Sequence, residues 1–345
     1  MKSFTKLFFA GIAASAMVAG AATTVSAAMN YAGKTMKIII PYGPGGTYDK
    51  YGVAFSNHLG KHIPGNPNII LQHMPGAGGA KAMNWFYNVA PKDGLTLIVP
   101  LDNGVTNQLM RPEKMRYDAR HFNWIGSSNQ TNVVMVVRSD SGINKLSDMK
   151  KKQVIGSTSG KGSSGYINPM LINGLFGYKI KMVTGYKGSS KSIFAMEQGE
   201  SQMAAFNWLA WASKVPHWFK GDKPFARPIA QIGVFRDPDL PKSVPMISEL
   251  VTKEMDKKAV GFLSVAGLLG RGLALPPGVG KDNIDLLRSA YDKMNADPAF
   301  AAELKKRKLR LIPSSGAKIQ KIVIDSVNNA SPDVVKHATK LIFGS

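Results

Sequence analysis

Two short stretches of this 345-residue chain carry residues whose types and spacing suit the binding of an anion. In the first, Met36–Phe55 (MKIIIPYGPGGTYDKYGVAF), an apolar β-branched run ends in Pro41, Pro44 and the glycines Gly43, Gly45 and Gly46. Those residues forbid both strand and helix. Tyr42 lies within this bend. Thr47 then stands where a helix can be capped, and Tyr48, Tyr51, Val53 and Phe55 begin a helical pattern, with Asp49 in its first turn. The second stretch, Gln153–Ser164 (QVIGSTSGKGSS), repeats the order of strand, glycine-rich bend and helix. Such a bend points backbone N–H groups outward at a helix start, where the dipole also favours negative charge. In the second stretch Gly160 and Gly162 supply the bend, and Ser157, Thr158, Ser159, Ser163 and Ser164 add hydroxyl donors. Two such loops over a hundred residues apart predict two lobes gripping one ligand.

The same residues argue against several other chemistries. Gly160 to Gly165 matches G-x-G-x-x-G, but a dinucleotide site needs an acid about 20 residues further on for the ribose. None occurs between Asp148 and Glu197. A phosphate-binding P-loop fails as well, because Gly156 to Lys161 is one residue short and Gly162 stands where Ser or Thr should meet magnesium. His58 and His62 lie four apart without a local third ligand, so a surface pair is expected rather than a metal site. There is no G-x-S-x-G elbow, and His73, His121 and His217 sit in no nucleophilic setting. Zero cysteines rule out a thiolate nucleophile, a thiolate metal site or a disulfide framework. No cofactor is expected.

The elements that must position the two loops alternate between strand and helix, as in an α/β protein. Strands are expected at Met36–Ile40, Asn68–Gln72, Leu95–Val99, Val154–Ser157 and Ile180–Thr184. Helices are expected over Ala80–Val89, Tyr166–Leu175, Ser190–Gln198, Asp282–Met294 and Pro298–Lys306. Trp124–Ser128 and Asn132–Arg138 form an extended segment suited to crossing between lobes, and Pro228–Val234 suits the return. This divides the chain into 1–27, a first lobe of 28–130 with 235–345, and a second lobe of 131–234. Residues 1–27 read as a signal peptide: Lys2 and Lys6, an apolar run Leu7–Gly20, and small residues Val25-Ser26-Ala27 before a mature start at Ala28. The formal charge of +22 favours acidic partners, and export makes nucleic acid an unsuitable one. Eight lysines (150, 151, 152, 161, 179, 181, 187 and 191) fall in the acid-free window. Of these, Lys161 and Lys187 sit beside glycine turns where a cleft would lie. Asp102-Asn103-Gly104 can reach the same cleft, and Trp208 is expected at its wall.

Seven fragments occur in a fixed order: IIIPYGPGGTYD (38–49), PGAGGAKA (75–82), PKDGLTL (91–97), IGSTSGKGSS (155–164), GYKGSSKSI (185–193), DLPKSVPMISE (239–249) and LALPPGVGKDNIDLL (273–287). Together they resemble the Bug family, the solute receptors of tripartite tricarboxylate transporters, over essentially the whole mature chain. The resemblance implies a type II periplasmic binding protein fold, a Venus flytrap whose two α/β lobes are joined by two crossing strands. It also implies a monomeric periplasmic receptor that hands a small organic acid to a membrane carrier of one large and one small subunit. By position, the carboxylate cradle would fall on Tyr42–Asp49 and Ser157–Ser164, with Asn103, Tyr186, Lys187 and Asn207 as wall residues. The chain departs from the family at His73 (usually Asn), Gly185 (usually Pro) and Gln202 (usually an acid). Two other readings remain: an exported enzyme on the same scaffold, which needs a base in the cleft, and a basic surface-binding protein.

Overall fold

Short β-branched runs build two separate sheets in the computed structural model, which describes Met1 and residues 30–344. The signal peptide expected over 1–27 therefore lies, beyond Met1, outside the described residues. In the first sheet β1 (Thr35–Ile40) buries Met36, Ile38, Ile39 and Ile40 and pairs in parallel with β2 (Asn68–His73) and β3 (Thr96–Ile98). The chain then enters β4 (Asn123–Ser127), at the far side of the same sheet.

Residues 128–132 carry the chain across to the second sheet, beginning with β5 (Val133–Arg138). The sheet continues with β6 (Val154–Thr158), β7 (Ile180–Thr184), β8 (Met203–Asn207) and β9 (Ala226–Ile232), in the order β7-β6-β8-β5-β9. Strand β5, between β8 and β9, is covered on both faces. Val134 and Val136 pack on one face with Trp211 and Trp218, while Met135 and Val137 pack on the other with Ile167 and Leu171. A strand buried on both faces reads as a continuous apolar run. After β9 the chain returns, and β10 (Gly272–Leu275) and β11 (Ser314–Ser315) complete the first sheet in the order β11-β4-β10-β3-β1-β2. Two α/β lobes joined by two crossing segments are the result. Ile247, Val260 and Leu263, and the last helix Pro332–Phe343 through Ala338 and Ile342, pack with the second sheet's core.

The crossings are held by buried polar groups. Asn132 donates from Nδ2 to Gln231 Oε1 at 3.0 Å, and the same oxygen accepts from Asp237 N at 2.9 Å. Arg310 forks onto Asp237, which is fully buried, with bonds of 2.9 and 2.6 Å. Gly270 (φ +54°, ψ −132°) lies in backbone space that only glycine occupies readily, and a Cβ there would stand 1.7 Å from the Asn129 carbonyl oxygen. Gly270→Ala is therefore expected to destabilise the fold by more than about 3 kcal/mol. Calorimetry would register this as a melting temperature lower by at least about 4 °C; an unchanged melting temperature would mean the crossing is not packed as described.

Candidate ligand-binding site

The C-terminal ends of the parallel strands face each other across the gap between the sheets, the position where open α/β sheets place ligands. A cavity lies there with about 480 Å³ of space free of protein atoms, part of it open to solvent. The turn after β1 contributes Tyr42, Gly46, Thr47 and Tyr48, and the turn after β6 contributes Ser159, Ser163, Ser164 and Gly165. Asp102 comes from the turn after β3, Ser189 from the turn after β7, Phe206 and Asn207 from the end of β8, Ala210 from the short helix Trp208–Ala212 that follows it, and Arg271 from the entry to β10.

Three helices begin at this cavity: Thr47–His58, Ser164–Phe176 and Ser189–Glu197. Their N-cap residues are Gly46, Ser163 and Gly188, and none of the three makes a side-chain cap hydrogen bond. Glycine has nothing to cap with. Ser163 Oγ is engaged elsewhere, with Gly160 O and Thr158 Oγ1, both at 2.8 Å. The first amides of three helices thus reach the cavity without a side-chain acceptor, and their dipoles make it attractive to an anion. Asn207 adds a donor: it is 4% exposed, its Oδ1 accepts from Leu209 N, and its Nδ2 has no partner.

The fixed charges in the wall are Asp102 and Arg271, both buried. Arg271 Nη1 donates to Asp102 Oδ2 at 2.8 Å, and the Tyr48 ring lies 3.8 Å from the guanidinium carbon. Burial raises the pKa of Tyr42 and Tyr48 well above the ordinary tyrosine value. Asp102 Oδ1 accepts from Ser164 Oγ of the opposite lobe at 2.8 Å. Further bonds close the lobes on each other: Gly43 N donates to Lys187 O at 2.6 Å, and Asn103 and Asn107 Nδ2 both donate to Gly162 O at 2.9 Å. At the lip, Lys50 donates to Ser213 Oγ at 2.9 Å. Burial, then neighbouring cations, lowers the pKa of both Lys50 and Lys214.

Of the residues singled out in the sequence, Tyr42, Gly46, Thr47, Ser159, Ser163, Ser164 and Asn207 line the cavity. Thr47 is the first helical residue and caps nothing; its hydroxyl faces Arg271 Nη2 at 3.5 Å. Asp49 orders the loop, accepting from Gly45 N at 2.7 Å and pairing with His73 Nε2 at 2.6 Å. Ser157 and Thr158 lie behind the loop, their hydroxyls engaged with Ser192 O, Ser201 and Ser163. Gly160 and Gly162 touch the backbone of the 76–79 turn. Asn103 reaches Gly162, and Tyr186 bonds Glu200. Lys161 and Lys187 are exposed and their side chains do not line the cavity, although the Lys187 carbonyl bridges the lobes. Trp208 packs on Phe219 with ring centres 5.2 Å apart, inside the tryptophan core. The expected surface pair His58 and His62 is corrected: His58 is 6% exposed and meets Glu303 at 2.7 Å, while His62 stands 3.3 Å from Asp297. Gln202 bonds Ile155 N and is remote from the cavity wall.

Sequence reasoning brought the Tyr42–Asp49 segment, which holds Tyr48, and Asp102 to the cleft, but did not anticipate Ser189, Phe206 and Arg271 as wall residues. Ser189 carried a usable signal, since Tyr-Lys-Gly-Ser-Ser repeats the glycine-then-hydroxyl order of the other loops. Arg271, set between two glycines, had only a faint one.

A family model described as the tripartite tricarboxylate transporter family receptor matches residues 54–338. A UPF0065 protein of Bordetella pertussis is 22% identical over 307 residues, covering 87% of this chain and 88% of that protein. The periplasmic binding protein BugD superposes with a TM-score of 0.72 at 16% identity, over 90% of this chain and 98% of its own. MatC from Rhodopseudomonas palustris, solved with bound malate, gives 0.70 at 18% identity, over 88% and 99%. An R. palustris protein solved with adipate gives 0.69 at 19% identity, over 90% and 98%. These likenesses show the type II periplasmic binding protein fold. With a family match that runs from inside the first helix to inside the last, the chain belongs to the tripartite tricarboxylate transporter receptor family.

Proposed function

We propose that this protein is a periplasmic receptor that closes on a small organic carboxylate and presents it to a tripartite carrier of one large and one small subunit. The observation that carries this reading is the convergence of three side-chain-uncapped helix starts on one cavity between the lobes. Malate and adipate bound to structural neighbours indicate the size of acid to try first. The amides of 46–48 and 164–165, the hydroxyls of Thr47, Ser159 and Ser189, and Asn207 Nδ2 would hold the acid. Charge-assisted bonds contribute roughly 1.5–3 kcal/mol each, so four or five support micromolar binding after the costs of association. The lobe built on β1–β4, β10 and β11 and the lobe built on β5–β9 would each supply part of the contacts, so closure completes the site.

Catalysis fits this wall poorly. Its titratable side chains, among the described residues, are Tyr42, Tyr48, Asp102 and Arg271; Asp102 is paired, and burial moves both tyrosines away from use as a base near neutral pH. The receptor is expected to act as a monomer without a cofactor.

A thermal-shift screen of the mature protein against malate, adipate, citrate, benzoate and acetate tests the reading. At a hundred times its dissociation constant a true ligand adds about 2.7 kcal/mol of stability. That is a shift of several degrees; a panel without any shift would sink the proposal. Gly46→Val provides a second check. Gly46 sits in ordinary extended backbone (φ −82°, ψ 177°), but a Cβ there would stand 2.9 Å from Ser189 Oγ across the cleft. The variant should keep its far-UV spectrum while acid affinity falls at least about tenfold, because closure is obstructed. Wild-type affinity in that variant would remove the first loop from the site.

A further inference from the structure

Resting on the carboxylate-receptor reading, we infer that Arg271 is the specificity-determining residue of the site, and that its Nε–Nη2 edge takes one carboxylate of the ligand in a two-pronged bond. The side chain is 3% exposed and lines the cavity. Its Nη1 donates to Asp102 Oδ2 at 2.8 Å and Gly270 O at 2.9 Å, which uses both of that nitrogen's protons. The Tyr48 ring covers one face of the guanidinium. On the remaining edge, Nη2 has only Thr47 Oγ1 at 3.5 Å, and Nε is buried with no partner.

Guanidinium is planar, so the Nε proton and one Nη2 proton point the same way, at the spacing of two carboxylate oxygens. Asp102 does not fill that edge. Its Oδ2 is on Nη1, and its Oδ1 accepts from Asn103 N and Ser164 Oγ, each at 2.8 Å. The amides of the helix beginning at Thr47 lie beside the same edge, so fork and helix start can share one acid group. A neutral amide in that position offers one acceptor oxygen and presents an N–H₂ to a second donor. One buried proton of Arg271 would then stay unpaired, which is how a polar site rejects a near-isostere.

Arg271, Asp102, Thr47 and Tyr48 all belong to the first lobe. The fork is therefore in place before closure, which adds the contacts of the second lobe, and Ser164 arrives on Asp102 only when that lobe closes.

Titration calorimetry on the full mature protein, with malate, adipate and benzoate against malamide, adipamide and benzamide, tests this. Wild type should prefer the acid over its own amide by about a hundredfold. In Arg271→Lys the charge beside Asp102 is kept and the fork is lost; acid affinity should drop about 10- to 100-fold, and the acid-to-amide ratio should collapse with it. The double variant Asp102→Asn/Arg271→Gln removes both buried charges together, and should lose the same discrimination if Arg271→Lys folds poorly. A merely structural role would lower acid and amide binding alike and leave their ratio intact. Variants that retain the wild-type ratio, or a wild type that binds acid and amide equally, overturn the role of Arg271 while the receptor reading stands. Failure of the wild type to bind any acid overturns the receptor reading, and this assignment with it.

Discussion

Asp102 is where the two lobes meet electrostatically. One oxygen neutralises Arg271 in the first lobe and the other accepts the Ser164 hydroxyl from the second. Such a pair, nearly withdrawn from water, must have its remaining protons and lone pairs answered by fixed neighbours, because an unpaired buried charge is far costlier than an unpaired surface one. Tyr48 donates its ring face to Arg271 and accepts from the Asp102 amide at 3.1 Å. Asn129, from the crossing segment, holds the Arg271 amide at 2.5 Å. The charged floor of the cavity and the pivot of the lobes are thus one connected structure.

Glycine makes the approach of the lobes so close. Across the cleft Gly78 lies against the backbone of Gly162 and Ser163, and a Cβ on Gly160 would stand 2.8 Å from Gly78 N. Main chain touches main chain there, so each loop can present amides rather than side chains to whatever lies between. Three helix starts without side-chain caps follow from the same composition. Gly46 and Gly188 have no side chain to offer, and Ser163 is turned back into its own loop.

The basic surface acts at longer range. All eight lysines of the acid-free window are exposed, while Lys50 and Lys214 at the lip lose basicity through burial and then through neighbouring cations. A field of this sign concentrates anionic solutes near the mouth without touching them in the cavity, and salt screens it. The resulting division of labour has a physical basis: surface charge affects arrival, and desolvated dipoles and the buried fork affect what is held.

The strand–glycine–helix units at Met36–Phe55 and Gln153–Ser164 and the alternating α/β order could be read from the chain alone. Each depends on neighbours in sequence: apolar runs that must be strands, and Gly and Pro that must end them. The seven ordered fragments carried the type II fold for the same reason. Local signals could not show that Trp208 belongs to a core, that His58 is buried against Glu303, or that Ser157 and Thr158 face away from the cavity. Nor could they show Arg271 beside Asp102, residues 169 positions apart that meet only because β10 inserts between β3 and β4. Backbone punctuation is a property of adjacent residues; the partner of a buried charge is decided by sheet order, which exists only once the chain has folded.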